Sequence, residues 1–252
     1  MTRSLLLLFG CVIAGSTFAN PLLENTPYYL SSEQLDVVLS LDAAQIDGRF
    51  HFRTWKTPGG SLPKHPILLT VPIWIPSDPA CADQATAALL KKYAVNKGHH
   101  LEEGINPEWD AAIGLKITVG DQPIKIRFFG LHGPPVANAI DWVPKAWRRE
   151  GFHCVMVTAD FKPLLLAGDP EIRIQYRQGL RSDRAGREFF YVPVFENLPQ
   201  GMKTDDLKTY AMNLENRSGD SILIGRAKLE PNSRSRVALA HHSAILALMP
   251  PR

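Results

Sequence analysis

The stretch NKGHHLEEG, Asn96 to Gly104, sets His99 and His100 beside Glu102 and Glu103. Imidazole and carboxylate are the usual ligands of zinc and related cations, so metal chemistry is the first function to test here. The spacing does not suit it. Neighbouring side chains on an extended chain point to opposite sides, whereas chelating pairs stand at i, i+4 on a helix or i, i+2 on a strand. The inverted zinc-protease pattern His-x-x-Glu-His is met by His99 and Glu102 but fails at Glu103, and the forward pattern His-Glu-x-x-His is absent. His99, His100 and Glu102 are therefore weak metal candidates that would need distant partners such as His65 or His132. The plainer expectation is no metal, with two exposed histidines in a loop past a helix C-terminus, where the dipole favours their protonated form. A second pair, His241 and His242, falls inside a strand pattern that would send one inward and one outward.

Other chemistries leave fewer traces. Residues 20–252 contain no Gly-x-Ser-x-Gly elbow, and neither a P-loop nor Gly-x-Gly-x-x-Gly occurs. No catalytic residue and no cofactor is expected on these grounds. A carboxylate pair for hydrolysis is a matter of space rather than sequence spacing, so a hydrolase with a carboxylate or metal site assembled from loops stays open as the alternative. Trp142 and Trp147 bracket a short segment followed by Arg148 and Arg149, and flat rings beside guanidiniums can stack on a sugar or an apolar partner. These four are weak ligand-binding candidates, against the simpler reading that both rings pin their loop to the core. The run RIQYRQGLRSDRAGRE gathers Arg173, Arg177, Arg181, Arg184 and Arg187 among acidic residues, which reads as a solvated loop between strands or an anion-binding patch.

Cys81 and Cys154 are the two thiols outside the first nineteen residues. In an exported protein they are expected to form a disulfide, which would stabilise by roughly 4 kcal/mol on the loop-entropy argument. The rivals are a reactive thiolate at Cys81, in the first turn of a helix, and two buried unpaired thiols.

Export is inferred from MTRSLLLLFGCVIAGSTFA, with Arg3, an apolar run from Leu5 to Ala14, and small Thr17 and Ala19 before a polar segment. Residues 1–19 thus read as a signal peptide, cleaved before Asn20, with a periplasmic or secreted product and no transmembrane anchor left after cleavage. Lipidation at Cys11 is the competing processing route. The chain of 252 residues has 28 basic and 25 acidic groups, and loss of Arg3 leaves a net charge of +2. So even a balance excludes the dense basic surface of a nucleic-acid binder. A protein or carbohydrate of the cell envelope is the expected partner.

The elements that would position these residues are mostly strands. In LDVVLSL, Leu35, Val37, Leu39 and Leu41 share one face, and Ile46, Phe50 and Phe52 alternate with Asp47, Arg49, His51 and Arg53 after a short turn. GLKITVGDQPIKIRFFG reads as two strands about a Gly120-Asp121 reversal. ILLTVPIWIP is apolar on both faces, and Pro72 assigns it to a sheet edge or a bulge. Single strands are expected at FHCVMVTA, EIRIQYRQ, EFFYVPVFE, TYAMNLEN, SILIGRAKL and RVALAHHSAILAL.

One well-capped α-helix is expected at about 79–95, with Ser77 or Asp78 as N-cap and Gly98 as its stop, and a second short one from Asn106-Pro107 through EWDAA. The fold class is mainly β, an antiparallel β-sandwich of one large or two small β-units. Residues 131–151, without strand pattern, mark the internal boundary or a long loop of the β-rich region 20–252. The function expected of such an exported soluble protein is that of a non-catalytic binding or structural module.

Overall fold

The structure is a computed structural model that describes residues 22–23, 28–54, 68–93, 100–103, 107–124, 126–132, 149–160, 171–192, 210–239 and 244–251. In chain order the elements are β1 (Leu22–Leu23), β2 (Tyr28–Leu39), β3 (Ala43–Thr54), β4 (Leu68–Pro76), a 3₁₀ turn (Pro79–Cys81), α1 (Gln84–Tyr93), β5 (His100–Glu103), α2 (Pro107–Ile113), β6 (Lys116–Val119), β7 (Gln122–Pro123), β8 (Ile126–His132) and β9 (Phe152–Asp160). There follow β10 (Glu171–Gly179), β11 (Arg181–Asp183), β12 (Gly186–Tyr191), β13 (Tyr210–Asn216), β14 (Ile222–Ile224), β15 (Ala227–Leu229), β16 (Arg234–Ala238) and β17 (Ile245–Met249). They form a seven-stranded sheet in the order β16-β13-β2-β3-β10-β6-β7 and two five-stranded sheets, β1-β4-β9-β8-β5 and β11-β12-β17-β14-β15. The protein is mainly β with a sandwich-like layout, and among the described residues every strand pairing but one is antiparallel: β13 runs parallel to β2.

Period-two patterning builds the large sheet. Leu35, Val37 and Leu39 of β2, Ile46, Phe50 and Phe52 of β3, and Ile172, Ile174 and Tyr176 of β10 all face inward and are buried. Leu41, whose parity matches that inward set, is instead 41% exposed, because the chain has already turned between β2 and β3. Residues of all three sheets join one hydrophobic core. Trp74 of β4 links two of them, its ring edge-on to Phe190 at 5.7 Å and to Tyr191 at 5.8 Å between centroids.

Several elements differ from the sequence expectation for identifiable reasons. The helix expected at 79–95 is two pieces. Asp78 caps the 3₁₀ turn by accepting from the Ala80 N–H, the backbone is extended at Ala82, and Asp83 then caps α1 by accepting from the Ala85 N–H at 3.1 Å. Two capping aspartates in succession make two starts; the expected stop at Gly98 lies outside the described residues. The short helix at Pro107–Ile113 forms as read.

SILIGRAKL is the hairpin β14–β15 about Gly225-Arg226 rather than one strand, and RVALAHHSAILAL is β16 and β17, which belong to different sheets. Ile126 and Phe128 do not return along β6; after the short β7, β8 leaves for the sheet of β4 and β9. The Pro72 reading needs refinement. β4 lies between β1 and β9, but β1 pairs only with Leu69 and Thr70, so at Pro72 the side away from β9 meets no described strand, and the register to β9 runs without a bulge.

Candidate functional site

The outer face of the seven-stranded sheet is built from the polar halves of the alternating strands. Cross-strand register places Arg236, Asn213, Asp36, Asp47, Gln175 and Lys116 side by side across β16, β13, β2, β3, β10 and β6. Six strands spaced about 4.8 Å apart make this row roughly 24 Å wide. Like charges directly opposite destabilise a sheet, so the adjacent carboxylates of Asp36 and Asp47 need compensation. Each has it. The Asn213 amide donates to Asp36 at 2.8 Å, and the Arg173 guanidinium grips both oxygens of Asp47, at 2.8 and 2.5 Å, while Gln175 adds a third donor at 3.0 Å. The Arg173 hydrogen bonds, ahead of a smaller opposing effect of burial, hold the Asp47 carboxyl below its usual range. A carboxyl lowered in this way is a poor general acid.

At the β2–β13–β16 end this face dips into an open groove of about 530 Å³, lined by Asp36, Asn213, Glu215, Arg234 and Arg236. Glu215 holds Arg217 at 2.5 Å and Arg234 at 2.8 Å, while no described residue hydrogen-bonds the Arg236 side chain. The groove therefore offers carboxylate acceptors beside guanidinium donors across three strands. That arrangement, with the Ser235 hydroxyl also on the groove wall, can hold a polar, extended ligand.

The interior has its own polar centre. Glu33, 0% exposed, accepts a 2.5 Å hydrogen bond from the Tyr191 hydroxyl, which joins β2 to β12. Burial, then the charge of Glu33, pushes the Tyr176 phenol far up, so it stays neutral. Gln178 donates to the Phe190 carbonyl at 2.8 Å, and its side-chain oxygen has no hydrogen-bond partner among the described residues. Sequence reading passed over Glu33. The signal that could have found it is parity, since Glu33 shares the inward face of Leu35, Val37 and Leu39.

The disulfide expected between Cys81 and Cys154 is not formed. Cys81 rides the 3₁₀ turn past the end of β4, beside Asp78 and the charges of Arg181 and Asp183, on a small pocket of about 190 Å³. Cys154 stands inside β9 opposite Trp74, where burial pushes its thiol up to about 12. The turn carries one thiol out of the core while the strand keeps the other within it. Nor is Cys81 an activated thiolate, because burial and then the Asp78 carboxylate raise its pKa.

The arginine-rich run is neither a bare loop nor an anion patch. It spans β10, β11 and β12, and the guanidiniums of Arg173, Arg177, Arg181 and Arg187 are paired with carboxylates in place. Arg177 pairs with Asp83 at 3.1 Å and donates to the Ala112 carbonyl at 3.2 Å, fastening both helices to β10. Gly179 makes room for that contact, since a Cβ there would meet the Asp83 carboxylate at 2.3 Å. Arg181 and Arg149 share Glu188, and the buried Arg187 donates to the Leu41 carbonyl at 2.9 Å and to Asp220 at 2.5 Å. Arg184 sits in the turn between β11 and β12 and is exposed. Of the four ligand-binding candidates, Arg149 is thus engaged in an ion pair, while Trp142, Trp147 and Arg148 lie outside the described residues.

His100 belongs to β5, opposite Leu131 of β8, rather than to the loop expected for it, and Glu102 stands in the same strand opposite Phe129; His132 is opposite Cys154. His99, His65, His241 and His242 lie outside the described residues, as do residues 1–19 with Cys11. Among the described residues no group of three or more His, Cys, Asp or Glu is placed to hold a metal ion, and no helix is long and apolar enough to cross a membrane.

No protein-family model matches the chain, and no curated protein matches it. Among solved structures it is similar to native leukotriene A4 hydrolase from Saccharomyces cerevisiae, with 8% identity and a TM-score of 0.39 over 91% of this chain. The yeast enzyme in complex with bestatin gives 9% identity and a TM-score of 0.35 over 94% of the chain. The match covers only 30% and 31% of those chains. A likeness this distant carries no argument about what the protein does.

Proposed function

We propose that this protein is a non-catalytic binding module whose contact surface is the outer face of the seven-stranded sheet, centred on the groove between β2, β13 and β16. The observation that carries the reading is the polar row itself. Its acceptors and donors are preorganised by cross-strand hydrogen bonds, as Asp36 is by Asn213 and Asp47 by Arg173, so a ligand would meet groups already fixed in place. Partners of the cell envelope, protein or carbohydrate, fit a wide hydrophilic face of this kind. An extracytoplasmic location belongs to the same proposal and rests on the composition of residues 1–19; the Cys81–Cys154 pair, not joined by a disulfide, lends it no support.

The test is co-sedimentation of the purified chain with insoluble cell-envelope polysaccharide and, separately, with envelope protein fractions. An Asp36→Ala, Asn213→Ala, Arg236→Ala triple variant should lose retention while keeping the parent's melting curve. Retention unchanged in that variant, or release of soluble product from either material by the parent, would refute the reading.

A further inference from the structure

Among the described strands the seven-stranded sheet ends at β16, and the hydrogen bonds at the two ends of β16 fix which way each backbone group points. The Leu239 N–H donates to the Tyr210 carbonyl at 3.2 Å, and the Asn216 N–H donates to the Ser233 carbonyl at 2.9 Å. In an antiparallel ladder hydrogen-bonded pairs alternate. Residues 233, 235, 237 and 239 therefore face β13, and Arg234, Arg236 and Ala238 direct their N–H and C=O groups to the open side. No described strand lies there. The exposure agrees: no residue of β16 is buried, and the Arg234 side chain is 75% exposed, whereas its neighbour β13 is largely buried.

Open edges are commonly closed off by proline, a bulge or a covering element. β16 contains no proline and pairs with β13 in unbroken register. What it carries is charge. Arg234 and Arg236 stand two residues apart, on the face that also forms the groove. Two copies of the chain pairing edge to edge about Arg236 would set that guanidinium against its twin, which is unfavourable. An incoming strand with acidic side chains at every second position would instead place carboxylates opposite both arginines.

We propose that the edge of β16 accepts an extended acidic peptide as an eighth strand of the sheet, held by the backbone groups of Arg234, Arg236 and Ala238 and selected by the Arg236 guanidinium, since Arg234 is already paired with Glu215. This rests on the binding-module reading but uses the strand edge, not the groove floor, and so can fail without it.

The probe is a fluorescein-labelled synthetic heptapeptide alternating glutamate and threonine, with an alternating lysine and threonine peptide as control, titrated against the full chain by fluorescence anisotropy. The glutamate peptide should bind saturably and more weakly as salt is raised; the lysine peptide should not bind. Arg236→Glu turns one attractive cross-strand pair repulsive and should weaken binding about fivefold to tenfold. Ala238→Pro removes an N–H that points away from β13, so the sheet should keep its melting temperature while binding is lost.

No binding of the glutamate peptide, equal binding of both peptides, or parental affinity in a folded Ala238→Pro variant would each overturn the proposal. Should Ala238→Pro unfold, the charge-reversed Arg236→Glu and the lysine peptide decide alone. The groove variant Asp36→Ala, Asn213→Ala should retain the peptide. If it loses envelope components while Ala238→Pro keeps the peptide, the edge proposal fails and the groove reading stands.

Discussion

Replacing Tyr191 by phenylalanine removes one oxygen from the centre of the sandwich and leaves its ring packing in place. That oxygen donates at 2.5 Å to Glu33, which is 0% exposed, and the ring it belongs to stacks edge-on against Trp74. A hydrogen bond to a charged group contributes roughly 1.5–3 kcal/mol, and a buried acceptor that loses its donor is costly in its own right. The expected loss is about 2 kcal/mol, which for a domain of this size lowers the melting temperature by about 4–8 °C.

Glu33→Gln keeps an acceptor for the hydroxyl while removing a buried charge, so it should cost less than Tyr191→Phe. The double variant should be little worse than Tyr191→Phe alone, giving a coupling of about 1–2 kcal/mol. Urea titration followed by circular dichroism and by tryptophan fluorescence, to which Trp74 contributes, measures all four proteins. A Tyr191→Phe midpoint within about 0.5 kcal/mol of the parent, or strictly additive effects, would refute the inference that this bond ties β2 to β12.

Gly186 has φ +144°, and a Cβ there would stand 2.3 Å from the Met249 carbonyl oxygen; Gly186→Ala should therefore cost at least about 1–3 kcal/mol in a urea titration. Burial, against a weaker opposing hydrogen bond to Ser77, lowers His153 from its ordinary 6.5. Its imidazole is then neutral in the fold and protonates more readily in the unfolded chain, so stability is full above 6.5 and falls as pH drops below it. His153→Gln should flatten the urea midpoint measured from about pH 7.5 down to 5. With its thiol pushed up to about 12 inside the core, Cys154 should react with an aromatic disulfide reagent only after denaturation, while the half-exposed Cys81 should react slowly in the native protein. A Cys11→Ser, Cys81→Ser variant whose native form still reacts would contradict this placement.

The period-two segments were legible because burial of one sheet face is a local demand. Leu35, Val37 and Leu39, or Ile172, Ile174 and Tyr176, announce their inward side whatever they pack against. Cap chemistry was nearly as local: Asp78 and Asp83 each accept backbone donors two residues on, although that two caps divide one helix was missed. The arginine-rich run was misread because its partners lie far away in sequence. Asp47 is 126 residues from Arg173, and Leu41 is 146 from Arg187.

Glu33 shows the same limit from the other side. Its parity was written in β2, but a buried carboxylate is tolerable only with donors, and one of them, the Tyr191 hydroxyl, arrives from β12. The sequence by itself determined which residues alternate, where chain direction changes and which groups carry charge, since these follow from each residue and its near neighbours. Only the tertiary structure decided that Cys81 and Cys154 stand apart, that β16 ends a sheet, and that Arg236, Asn213 and Asp36 form one row. Register between strands distant in sequence is set by the packing of the whole core.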